Sequence, residues 1–356
     1  MMETLKRHFR PEQLRELSLV LLIVLIFLFF GTQIEGYFSP RTFNRVTSDV
    51  AIIAVVAMGE TLVLLTRNFD LSVGSIVGLT AFFTGKLLTF NPDLAPVGAL
   101  FFAIGLGGSL GTVNGLLVAF GRVPSLIVTL GTLAIYRSIL VAFPAGTKNV
   151  VTQDLPQWIL DLGGMQLFSI GGFDIKPVVG VGLIMLVIFQ LVTSYTRFGR
   201  RLYAIGSNPE AARVGGLPSQ RIVLTAFIIC GAMAGLAGFM FLVRYGNITP
   251  IAAQGMELQG IAAAVVGGVS TLGGVGTMIG AMLGALMINL LQQSLLRWLV
   301  ISTFWVGALL GLMILVSVTI DMVIINRLRN IWTQRGLESN PVDEKKVTNE
   351  KEGQDA

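Results

Sequence analysis

LQGIAAAVVGGVSTLGGVGTMIGAMLGALMINLLQQSLL, residues 258–296, runs for 39 residues without one charged side chain. A bilayer core of about 30 Å takes about 20 apolar residues in helix. The run is therefore read as two membrane spans, joined where Thr271, Leu272, Gly273 and Gly274 break the helix between Ser270 and Gly276. In lipid only helices and closed barrels satisfy the backbone, and apolar runs this long predict helices.

Composition points the same way. Of 356 residues 53% are hydrophobic, 13% are charged and 42 are glycine, with a mean hydropathy of +0.77. Soluble domains carry about 25% charged residues, so a soluble globular domain is excluded and membrane lipid is the expected surrounding. Lys+Arg 25 against Asp+Glu 20 is a small basic excess, scattered between apolar runs, which argues against nucleic acid as a partner. One cysteine, Cys230, and one histidine, His8, build neither a disulfide framework nor a Cys/His metal site within one chain.

Working outward, further apolar runs cover 17–34, 47–66, 70–90, 94–121, 124–143, 177–196, 222–243 and 298–320. The first is preceded by Lys6, Arg7, Arg10 and Arg15, but it exceeds the h-region of a signal peptide and no A-x-A pattern follows, so it reads as a retained span. The expected fold is all-α, a polytopic transmembrane bundle of about ten spans. An eight-span arrangement follows if two segments are re-entrant. Cytoplasmic loops hold more Lys and Arg; ten spans with both termini cytoplasmic place Arg67, Arg122, the five arginines of 196–221 and the cationic tail on one side. The expected organisation is a cytoplasmic arm 1–16, a transmembrane domain 17–325 with a cytoplasmic loop 197–221 and a periplasmic loop 145–176, and a largely disordered tail 326–356.

Helices in lipid gain nothing hydrophobic by touching, so small residues that let backbones approach dominate their contacts. Gly107, Gly111 and Gly115 form one ladder at four-residue spacing, Gly276, Gly280 and Gly284 another, and Gly231 with Gly235, Gly74 with Gly78 and Gly307 with Gly311 are shorter cases. Tight packing explains nearly all of them. There is no G-x-x-x-x-G-K-[ST], so a nucleotide that powers transport sits on another subunit.

Ionisable groups at membrane depth are costly and are the candidates for a pathway. Glu60 in AVVAMGETLVLL is the clearest, with Arg137 in TLAIYRSIL as its candidate counter-ion. Asp70 in NFDLSVGS and Glu257 in QGMELQGIAA stand where helices would start, which suits caps. Asn114 and Asn289 lie inside apolar runs and suit interhelical hydrogen bonds. No paired carboxylates, Ser/His/Asp set or cysteine nucleophile is present, so no catalytic residues are expected and an enzyme reading has little support.

The segment FGRRLYAIGSNPEAARVGGLPSQRIVLTAFIICGAMAGLAGF, 198–239, contains a compact helix: Asn208 caps it, Pro209 opens it, Glu210 sits in its first turn, Ala211, Ala212 and Arg213 continue it, and Gly215 with Gly216 end it. This segment resembles the coupling loop of bacterial ABC-type sugar importer permeases of the ribose, xylose and arabinose group. NFDLSVGS resembles their G-G-I-D-L-S-V-G-S signature, and VPSLIVTLGTLAIYRSI (123–139) and AAAVVGGVSTLGGVGTMIGAMLGAL (262–286) extend the match in family order. Thr66, Arg67 and Asn68 replace the glycines before the Asp, a variant that looks most like the permeases of autoinducer-2 importers. Glu60 stands where members often carry Gln, which speaks against a charge-specific role.

The resemblance implies an inner-membrane permease, not an enzyme, with no cofactor of its own. Its implied partners are a second permease subunit, identical or paralogous, a cytoplasmic ATPase that binds ATP, and a periplasmic or lipid-tethered binding protein. Residues 208–215 become the coupling helix. Two other classes compete: a stand-alone ion-coupled secondary transporter, for which NFDLSVGSIVGL and GMELQGIAAAVVGG hint at an internal repeat, and a membrane scaffold without transport.

Overall fold

The architecture is that of a computed structural model, which describes residues 11–146 and 149–298 together with scattered helical positions from 305 to 319. The expected span 298–320 and the tail 326–356 lie largely or wholly outside the described residues, as does 1–10 of the N-terminal arm.

Eight helices among the described residues are long and apolar enough to cross a membrane. They are α1 (Pro11–Gln33), α2 (Pro40–Leu64), α3 (Val73–Phe90), α4 (Pro96–Ala119), α5 (Ser125–Gly146), α7 (Pro177–Tyr195), α10 (Ser219–Tyr245) and α12 (Met278–Trp298). Shorter helices are α6 (Gln157–Gly164), α8 (Arg197–Ser207), α9 (Pro209–Val214) and α11 (Met256–Val266), and one two-stranded hairpin pairs β1 (Phe168–Ile170) with β2 (Phe173–Ile175). Proline opens α2, α4 and α7 at the position where its missing N–H costs nothing.

α10 is the axis of the bundle and packs along α4, α2 and α3. Its seam with α4 is the glycine ladder. A methyl group on Gly107 would strike the Gly231 carbonyl, one on Gly111 the Phe227 carbonyl, and one on Gly235 the Ala103 carbonyl, so the two backbones touch directly. Gly280 and Gly284 of α12 lie in the same way against Gly267 and Ala263 of the α11 segment. Gly307 and Gly311 meet nothing within 4 Å among the described residues.

The charge-free run 258–296 contains one helix long enough to span a membrane and not the two its length predicts. Its first half folds as α11, only 11 residues long, about 16 Å at 1.5 Å per residue and half a bilayer core. The next ten residues, 267–276, are spent on a loop with left-handed backbone at Gly268, Gly273 and Gly274. A second interruption falls in the stretch 65–72 between α2 and α3, where Arg67 has φ 64°. Irregular backbone at membrane depth persists only where protein surrounds it. The two breaks meet, Gly274 N donating to Leu65 O at 3.1 Å, and a third irregular stretch, 246–255 before α11, lies against α3, where a Cβ on Gly74 would collide with the Glu257 carboxylate and the Ala253 carbonyl and one on Gly78 with the Ala252 carbonyl.

The two faces of the bundle differ. One gathers 65–72, 120–124, 196–218 and 267–277, with Arg67, Arg122, Arg197, Arg200, Arg201, Arg213 and Arg221. There Leu65 O accepts from Gly274 N at 3.1 Å and Tyr203 Oη donates to Gly276 O at 2.7 Å. α1 is tied in at the same level, Arg15 Nη1 donating to Gly268 O (2.9 Å) and Thr277 Oγ1 to Glu16 Oε1 (2.6 Å). The other face carries α6 and the hairpin, which Asn44 pins to α2 through Gly172 O (3.0 Å), Asp174 Oδ2 (2.8 Å) and the Asp174 N–H (2.8 Å).

Candidate functional site

The polar residues that the sequence scatters over four helices come together where the start of α3 meets the start of α11. Asp70, fully buried, accepts from the Ser72 N–H (3.0 Å), Ser72 Oγ (2.6 Å) and Asn114 Nδ2 (3.3 Å), while Asn114 Nδ2 also donates to Ser72 Oγ at 2.7 Å. The bond to the N–H two residues on makes an Asx turn that leads the chain into α3. Asp70 is therefore not the expected N-cap: Ser72 holds that position without a side-chain cap bond, and Asp70 instead holds the turn that precedes the helix, to which Asn114 of α4 bonds. Ser125 Oγ of α5 accepts from the Phe69 N–H at 3.2 Å, and Ser75 Oγ donates to Leu133 O at 3.1 Å, so α5 braces the same stretch.

Glu257 lies in the first turn of α11, one oxygen accepting from the Gly255 N–H at 3.2 Å and the other unpartnered against Gly74. Arg137 reaches from α5 to the Ala252 carbonyl at 2.7 Å, and the carboxylate that acts on it is Glu257. The expected pairing of Arg137 with Glu60 does not form among the described residues: Arg137 donates to the Ala252 carbonyl, and Glu257 is within electrostatic range of it without forming an ion pair. Glu60 sits on the far side of the knot, fully buried, with neither oxygen in hydrogen-bond geometry and the Asp70 N–H and the Asp70 and Glu257 carboxylates among its neighbours.

The second group of candidates lies on the arginine-rich face. Asn208 Oδ1 accepts from the Ala211 N–H at 3.0 Å, Pro209 opens α9, Glu210 occupies its first turn and Arg213 its last. Gly215 follows as the helix ends and Gly216 takes φ 73°. Every side chain of α9 is exposed except Ala212, and Val214 stands 88% exposed. A groove of 880 Å³ flanks it, with Arg122, Glu210, Arg213 and Arg221 on its walls. The sequence reading foresaw one helix in this loop. Residues 197–207 form another, α8, capped by Thr196 and turning Leu202, Ile205 and Gly206 inward.

The residue that the sequence reading passed over is Arg67. From its left-handed backbone position it donates through Nε to Gly206 O (2.6 Å) and through Nη2 to Ser207 O (2.9 Å), the carbonyls that end α8 just before Asn208. A cation suits a helix C-terminus. One stretch of chain, 65–72, therefore touches α8 with Arg67 and the buried knot with Asp70. The signal was visible as the Thr66-Arg67-Asn68 departure from the family signature, but its partners were not.

The arrangement is that of a transport protein: two interrupted segments crossing inside a helical bundle, connected to a capped helix projecting from one face, with no nucleotide motif in the chain. A family profile described as "Branched-chain amino acid transport system / permease component" matches residues 42–318. The chain is 36% identical over 307 residues to the autoinducer 2 import system permease protein LsrC of Yersinia pseudotuberculosis serotype O:3 (strain YPIII), covering 86% of this chain and 84% of that protein. It is equally similar to the LsrC permease of Yersinia enterocolitica serotype O:8 / biotype 1B, covering 82% of that protein. The chain belongs to this family of ABC-type permeases and is a membrane-embedded transport subunit, not an enzyme.

Proposed function

We propose that the chain is a permease of an ATP-driven importer of autoinducer 2 or a closely related sugar-like molecule. It sits in the bacterial inner membrane with its arginine-rich face in the cytoplasm. A second permease completes the pathway, a binding protein delivers substrate to the opposite face, and an ATPase that binds ATP docks at Asn208, Pro209, Glu210, Ala211, Ala212, Arg213 and Gly215. The observation that carries this reading is the exposed, capped helix α9, whose base is joined to the buried break through Arg67.

Mechanistically, closure of an ATPase dimer supplies differential binding to two permease states. Displacement of α9 moves the C-terminus of α8, Arg67 follows its two carbonyl bonds, and the 65–72 stretch carries the shift to Asp70, Asn114 and, through Gly74, to Glu257. Glu60 and Arg137 flank the same moving break.

The test is reconstitution with ATPase and binding protein. Glu210→Arg or Arg213→Glu leaves the permease folded and in the membrane while ATP hydrolysis no longer drives uptake. Unchanged coupled uptake in both variants refutes the docking assignment, and uptake in liposomes without ATP or ATPase refutes the importer reading.

A further inference from the structure

On the face opposite α9, the hairpin β1–β2 has two unlike sides. Successive residues of a strand alternate between the sides, and cross-strand partners share one. The register pairs Phe168 with Ile175, Ser169 with Asp174 and Ile170 with Phe173. Ser169 Oγ donates to Asp174 Oδ1 at 2.6 Å and Asp174 Oδ2 takes the Asn44 amide at 2.8 Å, so the polar side is turned to α2. The other side is apolar at all four positions, with Phe168 58% and Ile170 64% exposed. A contiguous exposed apolar surface marks an interaction site.

Its surroundings identify what covers it. A Cβ on Gly180, in the first turn of α7, would meet Leu167 Cδ1 at 2.8 Å, so the root of β1 stands at the head of the stripe that Ile184, Val187 and Leu191 continue at helical spacing. All three are more than half exposed on a helix that crosses the membrane, where lipid covers them. At the tip, Gly172 lies against Pro40, and the Phe173 ring packs edge-on to Phe43 with centroids 5.4 Å apart, both in the first turn of α2. The 25 residues of α2 measure about 37 Å, longer than the bilayer core of about 30 Å, so its end reaches the interface, where aromatic rings collect. The hairpin goes no deeper, because hydrocarbon does not tolerate an open strand edge. The cations of this face, Arg41, Arg45, Lys176 and Arg244, line a pocket together with Asp174, on the polar side. A soluble protein drawn to them meets the side of the hairpin that Phe168 and Ile170 do not share.

We propose that the hairpin is a lipid anchor: the side formed by Phe168, Ile170, Phe173 and Ile175 is seated among the phospholipids of the leaflet opposite α9, about 5–10 Å into the boundary between headgroups and acyl chains. Asn44 and Asp174 hold it there by its polar side. The anchor stands independently of what the chain transports.

The test is spin labelling of the full chain in nanodiscs of phosphatidylethanolamine and phosphatidylglycerol, with the single substitutions Phe168→Cys, Ser169→Cys and Ile170→Cys. Cys230 is buried and leaves the label to the new thiol. Collision of the label with oxygen, which concentrates in lipid, is expected to exceed collision with a water-soluble nickel chelate several-fold at 168 and 170, and the order is expected to reverse at 169. Phe173→Cys serves where Phe168→Cys or Ile170→Cys does not fold. Nickel collisions that dominate at every position overturn the proposal, as does oxygen dominance at 169 equal to that of its neighbours. Labels at 168 and 170 that meet nickel in the nanodisc and lose it only when a substrate-binding protein is added also overturn it, and make the apolar side a protein dock instead.

Discussion

The knot around Asp70 and the helix α9 are both made of polar residues that an apolar chain keeps scarce, yet they are held in opposite ways. Asp70, Ser72 and Asn114 are fully buried and bond one another, with only Asn114 Oδ1 left unpaired among their side-chain oxygens and nitrogens. α9 is exposed on nearly every side and depends on one cap at its start and a glycine at its end. Burial without water makes each unmade bond in the knot expensive, whereas α9 exchanges its bonds with solvent at little cost. Energetic weight is therefore uneven: changes in the knot bear on whether the bundle forms, and changes in α9 bear on little beyond that helix.

The largest way to break that contrast is to force the knot apart. Gly74 has Glu257 and the Ala253 carbonyl where a Cβ would go, so Gly74→Leu pushes α3 away from the start of α11. Overpacking of this kind costs about 1–3 kcal/mol or more. The expected result is loss of monodisperse protein after membrane extraction. Gly215→Ala, at the end of α9 with φ −71° and only the Ala211 carbonyl as near as 3.2 Å, gives near-normal yield. Equal yields from both variants would contradict the division.

Asp70→Ala is the next effect in size. It strands the Ser72 N–H and the Ser72 hydroxyl and leaves Asn114 Nδ2 only its bond to Ser72 Oγ, for about 1–3 kcal/mol, read as a lower thermal midpoint in detergent. Asp70→Asn keeps an acceptor for Ser72 and loses less. A midpoint unmoved by Asp70→Ala would mean that Asn114 and Ser72 hold the turn alone.

Much of this was legible from residue type and spacing. The glycine ladders announced their seams, because four-residue spacing puts them on one helix face, and Gly107 and Gly111 do meet Gly231. The capped helix followed from Asn208, Pro209 and Glu210, since caps are local. The half-length of α11 was not legible: a charge-free run records only that its surroundings are apolar, and protein interior satisfies that as well as lipid does. Nor was the bond from Arg137 to the Ala252 carbonyl, which depends on where the irregular stretch before α11 lands against α5. The two acidic leaders, in NFDLSVGS and GMELQGIAA, looked like separate helix starts and prove to flank one crossing.

Arg67 is the bond between the two regions, so altering it sharpens the comparison without destroying either. Arg67→Lys keeps the charge but gives up the fork that reaches both Gly206 O and Ser207 O. Amide exchange at 203–207 should quicken on the order of tenfold, with protection around Asp70 and Asn114 unchanged. If protection falls at both places together, the knot and α8 form one cooperative unit, and the transmission path from α9 inward is no longer a hinge.

The smallest effect is expected at Asn208. Replacing it with alanine removes the Oδ1 acceptor of the Ala211 N–H, at about 1 kcal/mol for a lost cap. That is trivial for the whole bundle and large for six residues that have little else to hold them. The thermal midpoint should not move, exchange at 209–214 should rise, and Asn208→Ser or Asn208→Asp, which restore a capping oxygen, should return it to the wild-type rate. Coupled uptake should follow exchange and not the midpoint, since a partner binding α9 must then order the helix itself. A variant in which α9 frays while uptake per ATP stays unchanged would show that the partner recognises the segment without needing its helical form, and would move the weight of the interface to Arg122 and Arg221 on the groove beside it.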